Sequence, residues 1–188
     1  MKKLVLYILF TVSYLYASDL KNNQDQMIQK TLVENKSFID SISIGFGKIK
    51  SKHGVFKLGL QKEFTSNIYE NEIGYLNGFY DLSLNRWNYT DSEVYAVAFS
   101  PVFEYSFKTN SSDFIPFINI GIGATYINKK SIDDRNFSTH FQFEDRIGMG
   151  IKSSKYKLSF NYFHYSNASI KKPNDGIDMM LINYIYTF

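Results

Sequence analysis

The chain has 188 residues, no cysteine, fifteen tyrosines, seventeen phenylalanines and a formal net charge of +3. The missing cysteine excludes a disulfide framework and a thiol nucleophile, and so small a charge, part of it on Lys2 and Lys3, gives no reason to expect nucleic-acid binding. The aromatic content exceeds what a soluble domain of this size needs for its core, whereas outer-membrane barrels carry such residues on the lipid face and in two interfacial girdles.

The first eighteen residues are typical of an export signal. Lys2 and Lys3 precede an apolar run from Leu4 to Val12, and Ala17 offers a small residue for cleavage. This run is too short to cross a bilayer as a helix, and no later stretch holds eighteen consecutive apolar residues. Any membrane span of the mature chain is therefore expected to consist of strands.

Residues 19–40 form a polar segment that predicts a short helix or an unpaired arm, with no assigned function. From 41 to 188 apolar and polar residues alternate, interrupted by clusters of Asn, Asp, Ser, Lys and Gly, which is typical of strands joined by turns. Eight strands are predicted, at 41–49, 54–63, 73–84, 94–107, 114–127, 140–151, 155–166 and 178–188.

The last two strands show the alternation most clearly. In 155–166 the even positions begin Tyr, Leu, Phe, Tyr, the odd positions begin Lys, Lys, Ser, Asn, and the final strand repeats this parity up to Phe188. One face suits lipid and the other a wet lumen. The predicted fold is therefore all-β, an eight-stranded antiparallel transmembrane β-barrel of the outer membrane. A soluble β-sandwich or a lipocalin-like barrel is the alternative that the pattern leaves open.

Eight antiparallel strands place both termini on one side, which is the periplasm in this class of barrel. The connections near 50–53, 85–93, 128–139 and 167–177 then lie outside the cell. Basic side chains in three of these connections either pair with the phosphates of lipopolysaccharide or are ordinary solvated charges, and the sequence does not choose between the two. They are Arg86, Lys129, Lys130, Arg135, Lys171 and Lys172.

The alternation changes character at His164 and Ser166, which continue the lipid-facing parity where the strand should leave the hydrocarbon. Residues two apart on a strand share a face, about 7 Å apart, and an imidazole leaning toward a serine hydroxyl makes it nucleophilic. Asp178 starts the final strand with the same parity and is a candidate to orient the histidine. Asn167 and Asn174 are candidate donors to the oxyanion of a tetrahedral intermediate.

The alternative is that these are interfacial polar residues and a loop-end charge, because a serine close to a histidine in sequence is common. The other histidines, His53 and His140, have no carboxylate or histidine at ligand spacing. No metal site and no cofactor are therefore predicted.

The runs at residues 164–168, His-Tyr-Ser-Asn-Ala, and 172–177, Lys-Pro-Asn-Asp-Gly-Ile, resemble the C-terminal motif of the lipid A 3-O-deacylase family. Weaker likeness lies at 141–150, 100–103 and 121–123. The resemblance implies an eight-stranded barrel with a Ser-His-acid site that faces the outer leaflet.

Carried onto this chain, the resemblance implies Ser166 as the nucleophile, His164 as the general base, and Asn167 and Asn174 as supporting residues of the oxyanion site. The chain departs from the family at Asp178, where the family usually has Glu. Because aspartate is one methylene shorter, this acid must lie closer to the ring.

The implied function is hydrolysis of the 3-O-linked acyl chain of lipid A by a cofactor-free carboxylic ester hydrolase. The expected location is the outer membrane of a Gram-negative bacterium, with lipopolysaccharide of the outer leaflet as the substrate. Two alternatives remain: an outer-membrane phospholipase and a non-enzymatic structural or adhesive barrel. No nucleic-acid partner is expected, and both monomer and homodimer stay open.

Overall fold

Eight antiparallel strands make up the computed structural model, which describes residues 37–49, 53–89, 92–109, 113–133 and 135–188. The predicted export signal and nearly all of the polar segment 19–40 lie outside the described residues. Among the described residues there is no helix of the length and apolarity needed to span a bilayer. The strands, numbered β1 to β8 in chain order, are Ser41–Ile49, His53–Glu63, Gly74–Asn88, Glu93–Phe107, Ile115–Ile127, Phe141–Lys152, Tyr156–Ser166 and Ile177–Thr187.

Each strand pairs antiparallel with its neighbours in sequence, and β1 pairs with β8 to close the barrel. In the closing pair Ser41 lies opposite Thr187 and Ile49 lies opposite Met179. Closure pairs every one of these strands on both sides, which removes the sheet edges that would otherwise invite association. The predicted eight-stranded antiparallel barrel is confirmed.

The main departure from the predicted strands is at the end of β3, which continues to Asn88. Arg86 lies within this extension, faces outward and pairs with Glu93 on β4. The predicted connection at 85–93 is therefore wrong, and the two strands leave only 89–92 between them. The asparagines and the arginine of this stretch are typical of turns, but the alternation of inward and outward side chains continues through them.

Short strand pairings also lie outside the eight strands in the described part of the chain. Tyr69–Glu70 pairs with the start of β3, and Ser131–Ile132 pairs with Arg135–Asn136 within the β5–β6 connection. The sequence did not predict them because two residues are too few to display an alternation.

The barrel wall separates an apolar outside from a polar inside. Inside, Asp81 pairs with Lys57 at 3.1 Å and with Arg146 at 2.6 Å, and Arg146 also pairs with Glu144 at 2.7 Å. Pairing of this kind is what buried charges require. The outward-facing apolar side chains that stay exposed include Leu82, Leu84, Phe99, Ile118, Ile120, Ile147, Met149, Leu158, Phe160, Ile182 and Tyr184. This arrangement is the reverse of a soluble barrel and favours lipid on the outside.

The lumen becomes apolar toward the end that carries the β1–β2, β3–β4, β5–β6 and β7–β8 connections, called here the outer end. A cluster of buried apolar side chains, the apolar plug, fills it. Two members, Ile132 and Phe137, come from the β5–β6 connection, and the others come from the strands. The strand members are Ile49, Val55, Trp87, Val94, Ala96, Ile127, Phe163, Tyr165, Ile177, Met179 and Leu181. The end of β7 and the start of β8 are therefore packed against apolar side chains from inside the barrel.

Candidate active site

The β7–β8 hairpin brings His164 and Asp178 together on the outer wall. The two residues lie opposite each other in the strand register, and Nδ1 of His164 lies 2.7 Å from Oδ1 of Asp178. Their side chains are 40% and 51% exposed. An aspartate in this position fixes the ring orientation, favours the proton on Nδ1 and stabilises the imidazolium that forms when Nε2 takes a proton.

Ser166 is the last residue of β7 and lies on the same outward face. Its Oγ accepts a hydrogen bond from the backbone N–H of Ala168 at 3.4 Å. In the described residues no hydrogen bond joins the Ser166 hydroxyl to the His164 ring. Contacts of this kind are often long in the absence of substrate and tighten only when it is bound, so the missing bond does not exclude a Ser166–His164 pair.

Asn167 anchors the turn that follows the serine. Its side chain is fully buried, and its amide nitrogen donates to the carbonyls of Phe137 at 2.8 Å and Lys171 at 2.9 Å. Its backbone N–H donates to Oδ1 of Asn174 at 3.0 Å. Both amide hydrogens of Asn167 are thus engaged, whereas Nδ2 of Asn174 makes no hydrogen bond within the described part of the chain. Asn174 has the available donor, and Asn167 fits a supporting role.

The β5–β6 connection holds the segment that leads into β8. Arg135 Nη1 donates to the carbonyls of Asp175 at 3.2 Å and Gly176 at 2.5 Å. The backbone N–H of Asn136 donates to Oδ2 of Asp175 at 2.5 Å. Arg135, which the sequence left between phosphate binding and simple solvation, therefore uses Nη1 to hold the backbone that leads into β8.

Gly176 leaves room for the histidine ring. Its φ of +50° lies in the left-handed region that favours glycine, and a Cβ placed there would lie 3.0 Å from Cε1 of His164. Both the backbone conformation and the nearby ring therefore favour a residue without a side chain at this position.

An apolar groove of about 860 Å³ runs along the outer wall beside Asp178. Side chains from β1, β7 and β8 line it: Phe46, Lys48, Phe160, Tyr162, Met180 and Ile182. Lys48 and Asp178 are the charged residues in this lining. The groove has the apolar lining that a hydrocarbon chain requires, and Asp178 belongs both to this lining and to the pair with His164.

Two groups at this site were missed by sequence reasoning. The hydroxyl of Tyr162 donates to Oδ1 of Asp178 at 2.7 Å, although the sequence assigned Tyr162 only to the lipid face. Parity contained the signal, because Tyr162 precedes His164 by two residues and shares its face. The backbone N–H of Ala168 has no such signal, since the patterns read from sequence concern side chains.

The other two histidines make local contacts. His53 stacks on Tyr89 with ring centroids 4.4 Å apart, and Nδ1 of His140 lies 2.7 Å from the carbonyl oxygen of Ile127. Among the residues that the structure describes, no group of three or more His, Cys, Asp or Glu side chains is arranged to hold a metal ion. In this part of the chain, His164 is therefore the histidine that pairs with a carboxylate.

Comparisons with known proteins agree with one another. A family model described as lipid A 3-O-deacylase (PagL) matches residues 54–187. Lipid A deacylase PagL of Pseudomonas aeruginosa is 32% identical over 146 residues, covering 76% of this chain and 83% of that protein. Lipid A deacylase PagL of Bordetella bronchiseptica is 40% identical over 73 residues, covering 38% and 41%. The crystal structure of the outer membrane enzyme PagL matches with a TM-score of 0.74 and 30% identity, covering 79% of this chain and 99% of that one.

Proposed function

The chain belongs to the lipid A 3-O-deacylase family, and on that basis we propose that it removes the 3-O-linked acyl chain of lipid A with Ser166 as the nucleophile. Its relatives are named lipid A deacylase and outer membrane enzyme, which gives the reaction and the location. The observation that carries the residue assignment is the 2.7 Å contact between His164 and Asp178 on the outward face, beside Ser166.

In the first half of the reaction, Oγ of Ser166 attacks the ester carbonyl carbon while its proton passes to Nε2 of His164. Asp178, which is hydrogen-bonded to Nδ1 of His164, stabilises the imidazolium. The oxyanion accepts a hydrogen bond from Nδ2 of Asn174, whose Oδ1 is held by the backbone of Asn167. Collapse of the intermediate breaks the bond to the sugar oxygen, which leaves with the proton from the imidazolium, and the acyl chain stays on the serine.

In the second half, water replaces the sugar. His164 takes a proton from the water as its oxygen attacks the acyl carbon, and the second tetrahedral intermediate collapses toward the free fatty acid. The imidazolium returns its proton to Oγ of Ser166. The enzyme ends in its starting state, and the ester has been hydrolysed to a fatty acid and a sugar hydroxyl.

The position of the groove explains why the site lies outside the barrel. The groove lies on the apolar outer wall and includes Asp178 in its lining, so the acyl chain lies along Phe46, Phe160 and Ile182 while its ester meets the serine. The substrate reacts without leaving the leaflet, and the wall holds it in a reactive orientation.

Mass spectrometry of lipid A from cells that express the chain tests this proposal. The wild type should remove one acyl chain, and Ser166→Ala or His164→Ala should lower the rate by about 10³-fold or more while the barrel stays folded. Ser131→Ala and His53→Ala, at the same end of the barrel, should behave as the wild type. Undiminished deacylation by Ser166→Ala or His164→Ala would refute the assignment.

Purified barrel offered each lipid class separately distinguishes the alternatives. Release of fatty acid from lipid A is the expected result. Release from glycerophospholipids alone would instead support a phospholipase, and release from neither would support a non-enzymatic barrel.

A further inference from the structure

One oxygen of Asp178 receives two hydrogen bonds on the exposed side of the barrel. Oδ1 lies 2.7 Å from Nδ1 of His164 and 2.7 Å from the hydroxyl of Tyr162. Half of the Asp178 side chain is exposed, and an aspartate has only two side-chain torsions with which to reach its partner. A single hydrogen bond to a carboxylate so open to its surroundings leaves it able to rotate or to bind other donors.

Tyr162 is placed to prevent that rotation. It precedes His164 by two residues on β7, and its strand partner is Met180, two residues after Asp178 on β8. Its ring lines the apolar groove, while its hydroxyl reaches the carboxylate. The side chain therefore has two separable parts: a ring that lines the groove and an O–H that donates a hydrogen bond to the Asp178 carboxylate.

We propose that Tyr162 is a positioning residue that holds the Asp178 carboxylate in the orientation in which it orients His164. The inference rests on the proposed roles of His164 and Asp178. The hydroxyl touches neither the ester nor the proton in transit, and it acts only by fixing the acid before the reaction begins. Such preorganisation raises the rate of the chemical step and does not strengthen substrate binding.

Tyr162→Phe separates the two parts, because it keeps the ring in the groove and removes the O–H. Purified Tyr162→Phe should show a kcat about tenfold lower, since a hydrogen bond to a charged group is lost, with KM unchanged. Tyr184→Phe is the matched control, because Tyr184 also faces outward on the wall but lies outside the groove lining, and it should leave both constants unchanged. Folding of each variant is checked by its heat-dependent mobility on gels.

A second comparison tests whether the hydroxyl acts through the acid. In the background Asp178→Ala, adding Tyr162→Phe should leave kcat unchanged, because the group that it positions is already gone. A further tenfold fall in that background would overturn the inference, as would a wild-type kcat or a change in KM alone for the single variant. If His164→Ala loses activity while Tyr162→Phe keeps the wild-type kcat, only this inference is contradicted. If His164→Ala remains active, the proposed function is contradicted.

Discussion

The two faces of β7 near its outer end are held in different ways. On the inward face, Tyr165 is buried in the apolar plug and its hydroxyl donates to Glu144 at 2.7 Å. On the outward face, His164 is held by Asp178, and among the described residues the Ser166 hydroxyl has a hydrogen bond only with the backbone N–H of Ala168. The strand is thus anchored from the lumen, whereas the side chains of His164 and Ser166 stay partly exposed on the outer wall.

This difference indicates that stability and activity are separable along one strand. Packing and buried hydrogen bonds on the inward face fix where the backbone lies. The outward face then needs few contacts to present a histidine and a serine at a defined height on the wall. Substitutions on the inward face should therefore lower stability first, and substitutions on the outward face should lower activity first.

Asn167→Ala should lower stability and activity together, because Asn167 is buried and directly follows the serine. The loss of its two hydrogen bonds leaves the buried carbonyl of Phe137 and the partly buried carbonyl of Lys171 without this donor, which should lower the free energy of unfolding by roughly 2–4 kcal/mol. Activity should fall as well, because the turn after Ser166 loses its anchor. Urea unfolding in lipid vesicles and the deacylation rate measure the two effects.

The matched control is Asn88→Ala, at the exposed end of β3. It should leave both the unfolding free energy and the rate close to those of the wild type. An Asn167→Ala barrel with wild-type stability and wild-type activity would contradict the anchoring role.

Tyr165→Phe should sharpen the same comparison with a smaller effect. It removes the hydroxyl that donates to buried Glu144, so the free energy of unfolding should fall by about 1–2 kcal/mol. Because the side chain faces the lumen, kcat should stay close to the wild-type value. Tyr126→Phe on the outward face of β5 serves as the control for stability, and a large loss of kcat in Tyr165→Phe without loss of stability would reverse the roles of the two faces.

The strands could be predicted from the sequence because alternation and burial coincide in a barrel with an apolar outside. The parity of β7 and β8 also predicted that His164 and Asp178 share a face, since a hairpin of two alternating strands leaves little freedom in the register. The extension of β3 through Arg86 was missed, because turn-like residues and strand residues differ little once a strand projects beyond the apolar band.

The finer structure of the site could be predicted only in part. The motif pointed to Asn167, but its role in tying the turn to Phe137 depends on how the β5–β6 connection folds into the lumen. The contact between Tyr162 and Asp178 depends on side-chain reach across two strands. Contacts between distant loops, and contacts that depend on side-chain rotamers, are set by the tertiary structure. Local sequence patterns do not encode them.

Covalent trapping of the nucleophile tests the central claim most directly. A fluorophosphonate with a long alkyl chain reacts by attack of a serine oxygen on phosphorus with loss of fluoride, and its alkyl chain should follow the groove beside Asp178. Inactivation of the purified barrel should track the appearance of one adduct on the peptide that contains Ser166, and His164→Ala should remain unlabelled. Inactivation with the adduct on any other residue, or labelling of His164→Ala at the wild-type rate, would contradict a serine activated by this histidine.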